Sequence, residues 1–230
     1  MTSRPAHRHS VKSRKGDAAR SPGAVVGQVR IIGGQWRGRR LAVVDQPGLR
    51  PTGNRIRETL FNWLQPCVAG ASCLDLFAGS GALGFEAMSR YASRVVFVEP
   101  NPVASQALLQ SCSALQMDAR VVSPDITDST GTQQTSAEPE ITVFAGAAEQ
   151  FLQLNTALFD IVFVDPPFDL SIQWTVLEQL VAGNLAHNAL VYVESPVAES
   201  LPCPLPGNCV AVKEKVFGDV RVCLLRFSPL

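Results

Sequence analysis

The sequence of 230 residues lacks the residue patterns of several protein classes. None of its six cysteines forms a CxxC pair and it has only three histidines, so the ligand spacing of a zinc site is missing. No apolar run approaches the roughly 20 residues of a membrane span, and the opening MTSRPAHRHS has no apolar signal-peptide core. We therefore expect a cytoplasmic protein with no metal centre, whose cysteines pack as small hydrophobic residues.

The formal net charge is zero, but the charges are unevenly distributed along the chain. Residues 1–57 hold thirteen Lys or Arg against two Asp, a balance of +11, and residues 58–230 carry −11. Such asymmetry is typical of a polyanion-binding segment attached to an acidic body. Residues 1–27 are rich in Ser, Arg, Pro and His, which predicts a disordered basic tail. A transit peptide is the less favoured alternative, because little of this segment would form an amphipathic helix.

Residues 28–66 form a basic N-terminal extension that carries apolar patterning. QVRIIGGQWRGRRLAV predicts a short hairpin around its glycines, and LRPTGNRIRETLFNWL predicts a proline turn followed by a helix. Arginine interleaved with Trp and Gly suits phosphate contacts and base stacking, as in proteins that bind RNA or unpaired DNA. The candidate RNA-binding residues are Arg30, Trp36, Arg37, Arg39, Arg40, Arg50, Thr52, Arg55 and Arg57.

Over residues 67–230 apolar strands alternate with amphipathic helices. This pattern predicts an α/β fold with a mostly parallel, seven-stranded sheet covered by helices on both faces. Two final strands, which meet at a turn at Gly218-Asp219, would complete one edge as an antiparallel pair. Residues 124–140 are polar and rich in Ser and Thr, so we expect an exposed loop insertion there.

A glycine-rich loop, DLFAGSGALG, follows the first strand of this sheet, and Glu99 ends the second. Gly79 and Gly81 allow a tight turn and a close approach of the backbone to a ligand. Taken alone, GSGALG and Glu99 also fit a dinucleotide site. Asp75 in the pattern DxFxGxG resembles the first motif of S-adenosylmethionine (SAM) dependent methyltransferases. That resemblance implies SAM as the cofactor and the binding residues Asp75, Phe77, Gly79, Ser80, Gly81, Glu99 and Ala147.

The strand DIVFVD ends in DPPF, which would emerge at the same edge of the sheet as the glycine-rich loop. DPPF resembles the (N/D)PP(Y/F) signature of methyltransferases that act on exocyclic amino groups of bases. Asp165 and the Pro166 carbonyl would accept both N–H groups of the amino group and aim its lone pair at the methyl carbon. The two prolines restrict that carbonyl, and Phe168 would stack on the extruded base. Asp165, Pro166 and Phe168 are therefore the candidate catalytic residues.

Five segments, in this order, are similar to the RsmD family of bacterial 16S rRNA (guanine-N2)-methyltransferases: RIIGGQWRGRRL, RPTGNRIRETLFNWL, CLDLFAGSGALGFEAMSRYA, FVDPPF and YVES. The resemblance spans about residues 28–227. It implies a Rossmann-like SAM-dependent methyltransferase fold and a monomeric enzyme without membrane or metal. The implied substrate is guanine 966 of 16S rRNA, within the 30S subunit or a late assembly intermediate.

The chain departs from the family at two positions, and two other functions stay open. Phe168 replaces the usual tyrosine, so a hydroxyl hydrogen bond is lost. Ala147 stands where the family tends to place Asp or Asn near the adenine, so backbone amides, or Asp125 or Asp128 of the loop, would take over. DPPF does not name the base, which leaves an adenine-N6 methyltransferase on DNA or RNA as an alternative. A non-catalytic RNA-binding assembly protein is the second alternative.

Overall fold

The computed structural model describes residues 25–44, 52–124 and 140–228, and these ranges contain ten strands and five α-helices. The strands are β1 (Val25–Arg30), β2 (Arg40–Val44), β3 (Ser72–Asp75), β4 (Arg94–Val98), β5 (Ala119–Val122), β6 (Glu140–Phe144), β7 (Phe159–Val164), β8 (Leu185–Pro196), β9 (Cys209–Phe217) and β10 (Val220–Phe227). The helices are α1 (Asn54–Leu64), α2 (Ala82–Ser89), α3 (Pro102–Ala114), α4 (Ala148–Leu154) and α5 (Gln173–Gly183). The predicted tail and loop insertion lie almost wholly outside the described residues.

Strands β3 to β10 form one sheet in the order β5-β6-β4-β3-β7-β8-β10-β9. The strands from β5 to β8 in this order are parallel, and β10 and β9 close one edge as an antiparallel pair. The predicted Rossmann-like α/β architecture is therefore confirmed. The described sheet has eight strands rather than seven. The additional strand, β5, lies at the opposite edge of the sheet and has four residues, all of them partly or fully exposed. It is short and has polar neighbours in the sequence, so the sequence pattern does not predict it.

Two apolar layers cover the two faces of the sheet. Adjacent residues of β3 point into different layers: Cys73 packs with α1, α2 and α3, and Leu74 packs with α4 and α5. Because the inner parallel strands β3, β4, β6 and β7 are covered on both faces, their sequences are largely apolar instead of alternating. Cys73 and Cys223 are buried within these layers, as expected for small hydrophobic residues.

The N-terminal extension packs directly on this sheet. β1 and β2 form the predicted antiparallel hairpin, and its connecting loop contacts the end of α2. Gly34 has φ +74°, and a Cβ there would lie 1.8 Å from the Ser89 carbonyl oxygen, so only glycine fits. The Gln35 N–H donates to that same carbonyl oxygen at 2.8 Å. α1 contributes Phe61 and two leucines to the apolar layer that contains α2, so hairpin and helix share the core of the sheet.

The three described ranges contain neither a membrane-spanning helix nor a cluster of metal ligands. There, no helix combines the length and the apolar character needed to cross a bilayer. In the same residues, no three His, Cys, Asp or Glu side chains are grouped as ligands of one metal ion.

Candidate active site

Two loops meet at the carboxyl edge of the sheet, one after β3 and one after β7. These strands are parallel neighbours, with Asp75 opposite Phe163, so Asp165 lies just beyond the paired residues. The strand order reverses at β3, because β4 lies on one side of it and β7 on the other. Ligands of open α/β sheets bind at such a reversal. The structure therefore brings the glycine-rich loop and DPPF to one crevice.

The loop after β3 is a tight turn that leads into α2. Gly79 and Gly81 have φ of +51° and +74°, a left-handed conformation that favours glycine. A Cβ on Gly81 would lie 2.6 Å from a Leu108 methyl group, so space is also restricted there. Asp75, only 2% exposed, accepts the Gly84 N–H through Oδ2 at 2.9 Å. Burial raises the pKa of Asp75 to about 7, against the opposing effect of that hydrogen bond.

Glu99 follows β4 and braces the same loop. Its Oε2 accepts the Gly79 N–H at 2.8 Å and its Oε1 accepts the Asn101 N–H at 2.9 Å. Burial raises the pKa of Glu99, while these two hydrogen bonds lower it. A carboxylate has about four acceptor positions, so Glu99 can still accept hydroxyl donors from a ligand.

The other candidate cofactor-binding residues differ in their burial and in the hydrogen bonds that they already make. Ser80 is buried in the loop, whereas Phe77 is half-buried and packs against the α4 and α5 layer. Ala147 directly precedes α4 at the end of β6, and its N–H already donates to Gln150 Oε1 at 3.0 Å. Asp125 and Asp128, the alternative adenine contacts, lie outside the described residues.

Asp165 begins the loop after β7 and is contacted by the N-terminal extension. Thr52 Oγ1 donates a hydrogen bond of 2.6 Å to Asp165 Oδ2. Thr52, expected to contact RNA, is therefore part of the surroundings of Asp165. Burial raises the pKa of Asp165 to about 6, and the Thr52 hydrogen bond opposes this rise. Pro166 is buried, and Phe168 remains 39% exposed.

Strand β8 adds two ionisable residues that the sequence motifs do not predict as part of the site. The Tyr192 hydroxyl donates to Glu194 Oε1 at 2.6 Å, and both side chains are buried. Glu194 follows Val193, which pairs with Val164 of β7, so Glu194 lies beside Asp165. Burial raises the pKa of Glu194 well above its ordinary value. The sequence signal was the acid in YVES, which ends an apolar strand as Asp165 does.

Comparisons with known proteins identify the family of the chain. The profile of a family described as Conserved hypothetical protein 95 matches residues 29–226. Ribosomal RNA small subunit methyltransferase D of Escherichia coli K12 is 45% identical over 196 residues, which cover 84% of this chain and 87% of that protein. The chain belongs to the RsmD family. The family resemblance inferred from the motifs is confirmed.

Solved structures place the RsmD-family chain in the SAM-dependent methyltransferase fold. The Escherichia coli protein yhhF superposes with a TM-score of 0.73 at 40% identity, covering 89% of this chain and 100% of that chain. The M. jannaschii tRNA m1G37 methyltransferase has a TM-score of 0.57 at 11% identity, covering 84% of this chain and 53% of that chain. The second likeness shows the fold alone.

In this RsmD-family chain, most of the candidate RNA-binding side chains face solvent. The exposed ones are Arg30, Arg37, Arg39, Arg40 and Arg55. Trp36 is half-buried against the core, and Arg50 lies outside the described residues. Two exposed lysines on β9, Lys213 and Lys215, are further candidates that belong to no sequence motif. Arg55 and Lys215 lie 5.9 and 5.1 Å from the centre of the Phe217 ring, and Lys213 is exposed on the same strand.

The structure corrects the expectation that Arg57 contacts RNA. Its side chain is 0% exposed, and Nη1 lies 3.7 Å from Glu86 Oε2. Nη2 donates to the Arg30 carbonyl oxygen at 3.0 Å. Glu86 in turn accepts the N–H groups of Ile32 at 2.7 Å and Gly33 at 2.8 Å. Arg57 and Glu86 therefore form a buried ion pair that fixes the hairpin to α1 and α2, and the guanidinium does not reach the surface.

Proposed function

We propose that this chain is a SAM-dependent rRNA methyltransferase that adds a methyl group to N2 of a guanine in 16S rRNA. The observation that supports it most is the placement of the glycine-rich loop and DPPF at the ends of the adjacent strands β3 and β7. The relative named Ribosomal RNA small subunit methyltransferase D supports rRNA as the substrate. The resemblance of the motifs supports guanine 966, in the 30S subunit or a late assembly intermediate, and a monomeric enzyme.

The residues around the glycine-rich loop fit SAM by their chemistry. The buried Asp75 and the loop amides after β3 suit the ammonium and carboxylate of an amino-acid end. Glu99 suits a ribose diol, because its carboxylate retains acceptor positions beyond the two N–H groups that it holds. Gly79 and Gly81 keep the backbone free of side chains where a ligand would lie closest.

The DPPF residues suit an amino group as nucleophile. SAM supplies a methyl group on a positively charged sulfur, which leaves as a neutral thioether. Asp165 and the Pro166 carbonyl would each accept one N–H of the guanine amino group, so that the nitrogen lone pair points at the methyl carbon. Because the pKa of Asp165 is raised only to about 6, its carboxylate is ionised at neutral pH. It can then take the proton that the methylated nitrogen releases.

The surface around this crevice suits RNA. Phe168 is 39% exposed and can stack on a base that has left its helix. Arg55 and Lys215 both lie against the Phe217 ring, and Lys213 is exposed on the same strand, β9. We infer that the RNA backbone follows these cations past Phe168.

The test is transfer of labelled methyl groups from SAM to 30S particles from a strain that lacks the modification, followed by nucleoside analysis. We expect N2-methylguanosine. N6-methyladenosine would establish the adenine alternative, and no product together with no SAM binding in calorimetry would establish the non-catalytic one.

A variant of the acid tests the mechanism. Asp165→Ala should abolish transfer and leave SAM affinity within a few-fold, because Asp165 acts on the base. The matched control is Asp118→Ala, which replaces an exposed acid before β5 and should leave transfer unchanged. Near wild-type turnover of Asp165→Ala would refute the proposed role of DPPF.

A further inference from the structure

We propose that Thr52 and Glu194 are positioning residues for Asp165, each donating a hydrogen bond to its carboxylate, with Glu194 donating as a neutral carboxylic acid. The inference rests on the proposed function, in which Asp165 receives the amino group of the base. It assigns a role to Glu194, a buried acid beside DPPF that has no part in the mechanism proposed above.

The first donor comes from the N-terminal extension. Thr52 Oγ1 lies 2.6 Å from Asp165 Oδ2, although the two residues are 113 positions apart in the chain. The main chain of Thr52 is held in turn, because the buried Arg57 donates through Nε to the Thr52 carbonyl oxygen at 3.3 Å. The hydroxyl is therefore fixed by a rigid part of α1 and its preceding turn.

The second donor comes from β8. Glu194 is 4% exposed, and its Oε1 accepts the Tyr192 hydroxyl at 2.6 Å. Val193 of β8 pairs with Val164 of β7, so Glu194 lies beside Asp165 at the ends of these two strands. Two adjacent buried carboxylates oppose each other's ionisation, so one of the two acids holds a proton. Asp165 accepts the Thr52 hydroxyl, and Glu194 is the more buried of the two acids, so the proton belongs on Glu194. Burial raises the pKa of both acids.

The other ionisable groups that act on this pair favour the same arrangement. Within the described residues they are Asp75 on β3 and Tyr192 on β8, and both become negative when they ionise. Ionised Asp75 and Tyr192 would therefore both disfavour a negative charge on Glu194 in addition to the charge on Asp165. With Thr52 and Glu194 holding Asp165, the orientation of its remaining acceptor positions is fixed before the base arrives.

Four substitutions test the two donors. Glu194→Ala and Thr52→Val should each lower kcat by roughly 10-fold to 100-fold, the effect of a misplaced reacting group, with SAM affinity within a few-fold. Glu194→Gln and Thr52→Ser keep a donor, so each should recover most of that loss. Glu178→Gln, which replaces an exposed acid on α5, is the control. Wild-type kcat in Glu194→Ala, or an equal loss in Glu194→Gln, would overturn the assignment of Glu194, and the Thr52 pair is judged in the same way.

The pH profile distinguishes positioning from a general structural effect. In the wild type, kcat should rise as Asp165 ionises near pH 6 and fall at the higher pH at which Glu194 loses its proton. Glu194→Gln cannot lose that proton, so the decline should disappear. A decline of unchanged size in Glu194→Gln would contradict the proposal.

A spectroscopic measurement does not depend on activity. The infrared spectrum of the chain without substrate should contain the carbonyl band of a buried protonated carboxylic acid at neutral pH, and Glu194→Gln should remove it. Persistence of the band in Glu194→Gln would overturn the proposal. If the wild type instead makes no N2-methylguanosine while the band behaves as expected, the proposed function fails and the carboxyl pair stands.

Discussion

Arg57→Met should lower the stability of the protein far more than it affects contacts with RNA. Arg57 and Glu86 are both 0% exposed, and the substitution removes one of the two arginines that contact the buried Glu86 carboxylate. Breaking a buried ion pair in this way costs about 3–5 kcal/mol. Arg90 Nε still contacts Glu86 Oε1 at 2.8 Å, which favours the lower part of that range. For a chain of this size, each kcal/mol lowers Tm by about 2–4 °C, so a loss of about 3 kcal/mol predicts a decrease of about 6–12 °C.

The assay is thermal unfolding followed by circular dichroism, with RNA binding measured over a series of salt concentrations below the transition. The matched control is Arg37→Met, the same substitution at an exposed arginine of the hairpin loop. It should change stability by no more than about 0.5 kcal/mol and reduce the salt slope. A double variant with Glu86→Gln should be more stable than the sum of the single effects by about 0.5–3 kcal/mol. If Arg57→Met left Tm unchanged and reduced the slope of log RNA affinity against log salt, the buried ion pair would be refuted. Arg57 would then again be a candidate RNA contact.

Three other changes give separate tests. Replacing Arg37, Arg39 and Arg40 together by Ala should weaken RNA binding. The slope of log affinity against log salt should fall by about 0.7–0.9 per lost phosphate contact. An unchanged slope would show that RNA binds at another surface. Gly81→Ala should cost about 1–2 kcal/mol in unfolding free energy for its left-handed backbone alone, and calorimetry should show weaker SAM binding. Asp75 has a folded-state pKa raised to about 7 from 3.8, so its contribution to stability is complete below its unfolded pKa and is lost as pH rises through about 7. Asp75→Asn should therefore show a smaller fall in Tm between about pH 4 and pH 8 than the wild type, and an identical fall would contradict the burial of an ionisable acid.

Much of the fold could be predicted because the decisive signals are local. The apolar strands, the glycine-rich loop and the two prolines after Asp165 each impose their geometry over a few residues. β5 was missed because its four residues gain their strand character from pairing with β6. The contact of Thr52 with Asp165 is tertiary, and no spacing in the sequence could reveal it.

Arg57 shows how a charge can conceal burial. It precedes Leu60, Phe61 and Leu64 by three, four and seven positions, which is the spacing of one helix face. This spacing predicts that the face is buried, whereas the charge of Arg57 and its position beside Arg55 favour exposure. Burial of an arginine requires a partner, and Glu86 is supplied by a helix that lies well along the chain.

Strand β9 has a consequence for the solubility of the protein. It is the outer strand of the described sheet, and its free edge exposes Val210 and Val216 to solvent. Long apolar edges of this kind can recruit a strand from another molecule. Lys213, Glu214 and Lys215 place charges on both faces of β9, and an irregularity in its pairing with β10 interrupts the straight edge. The lysines that we propose to contact RNA would therefore also prevent the β9 strands of two molecules from pairing. An RNA-binding experiment that replaces these lysines should include a measurement of aggregation.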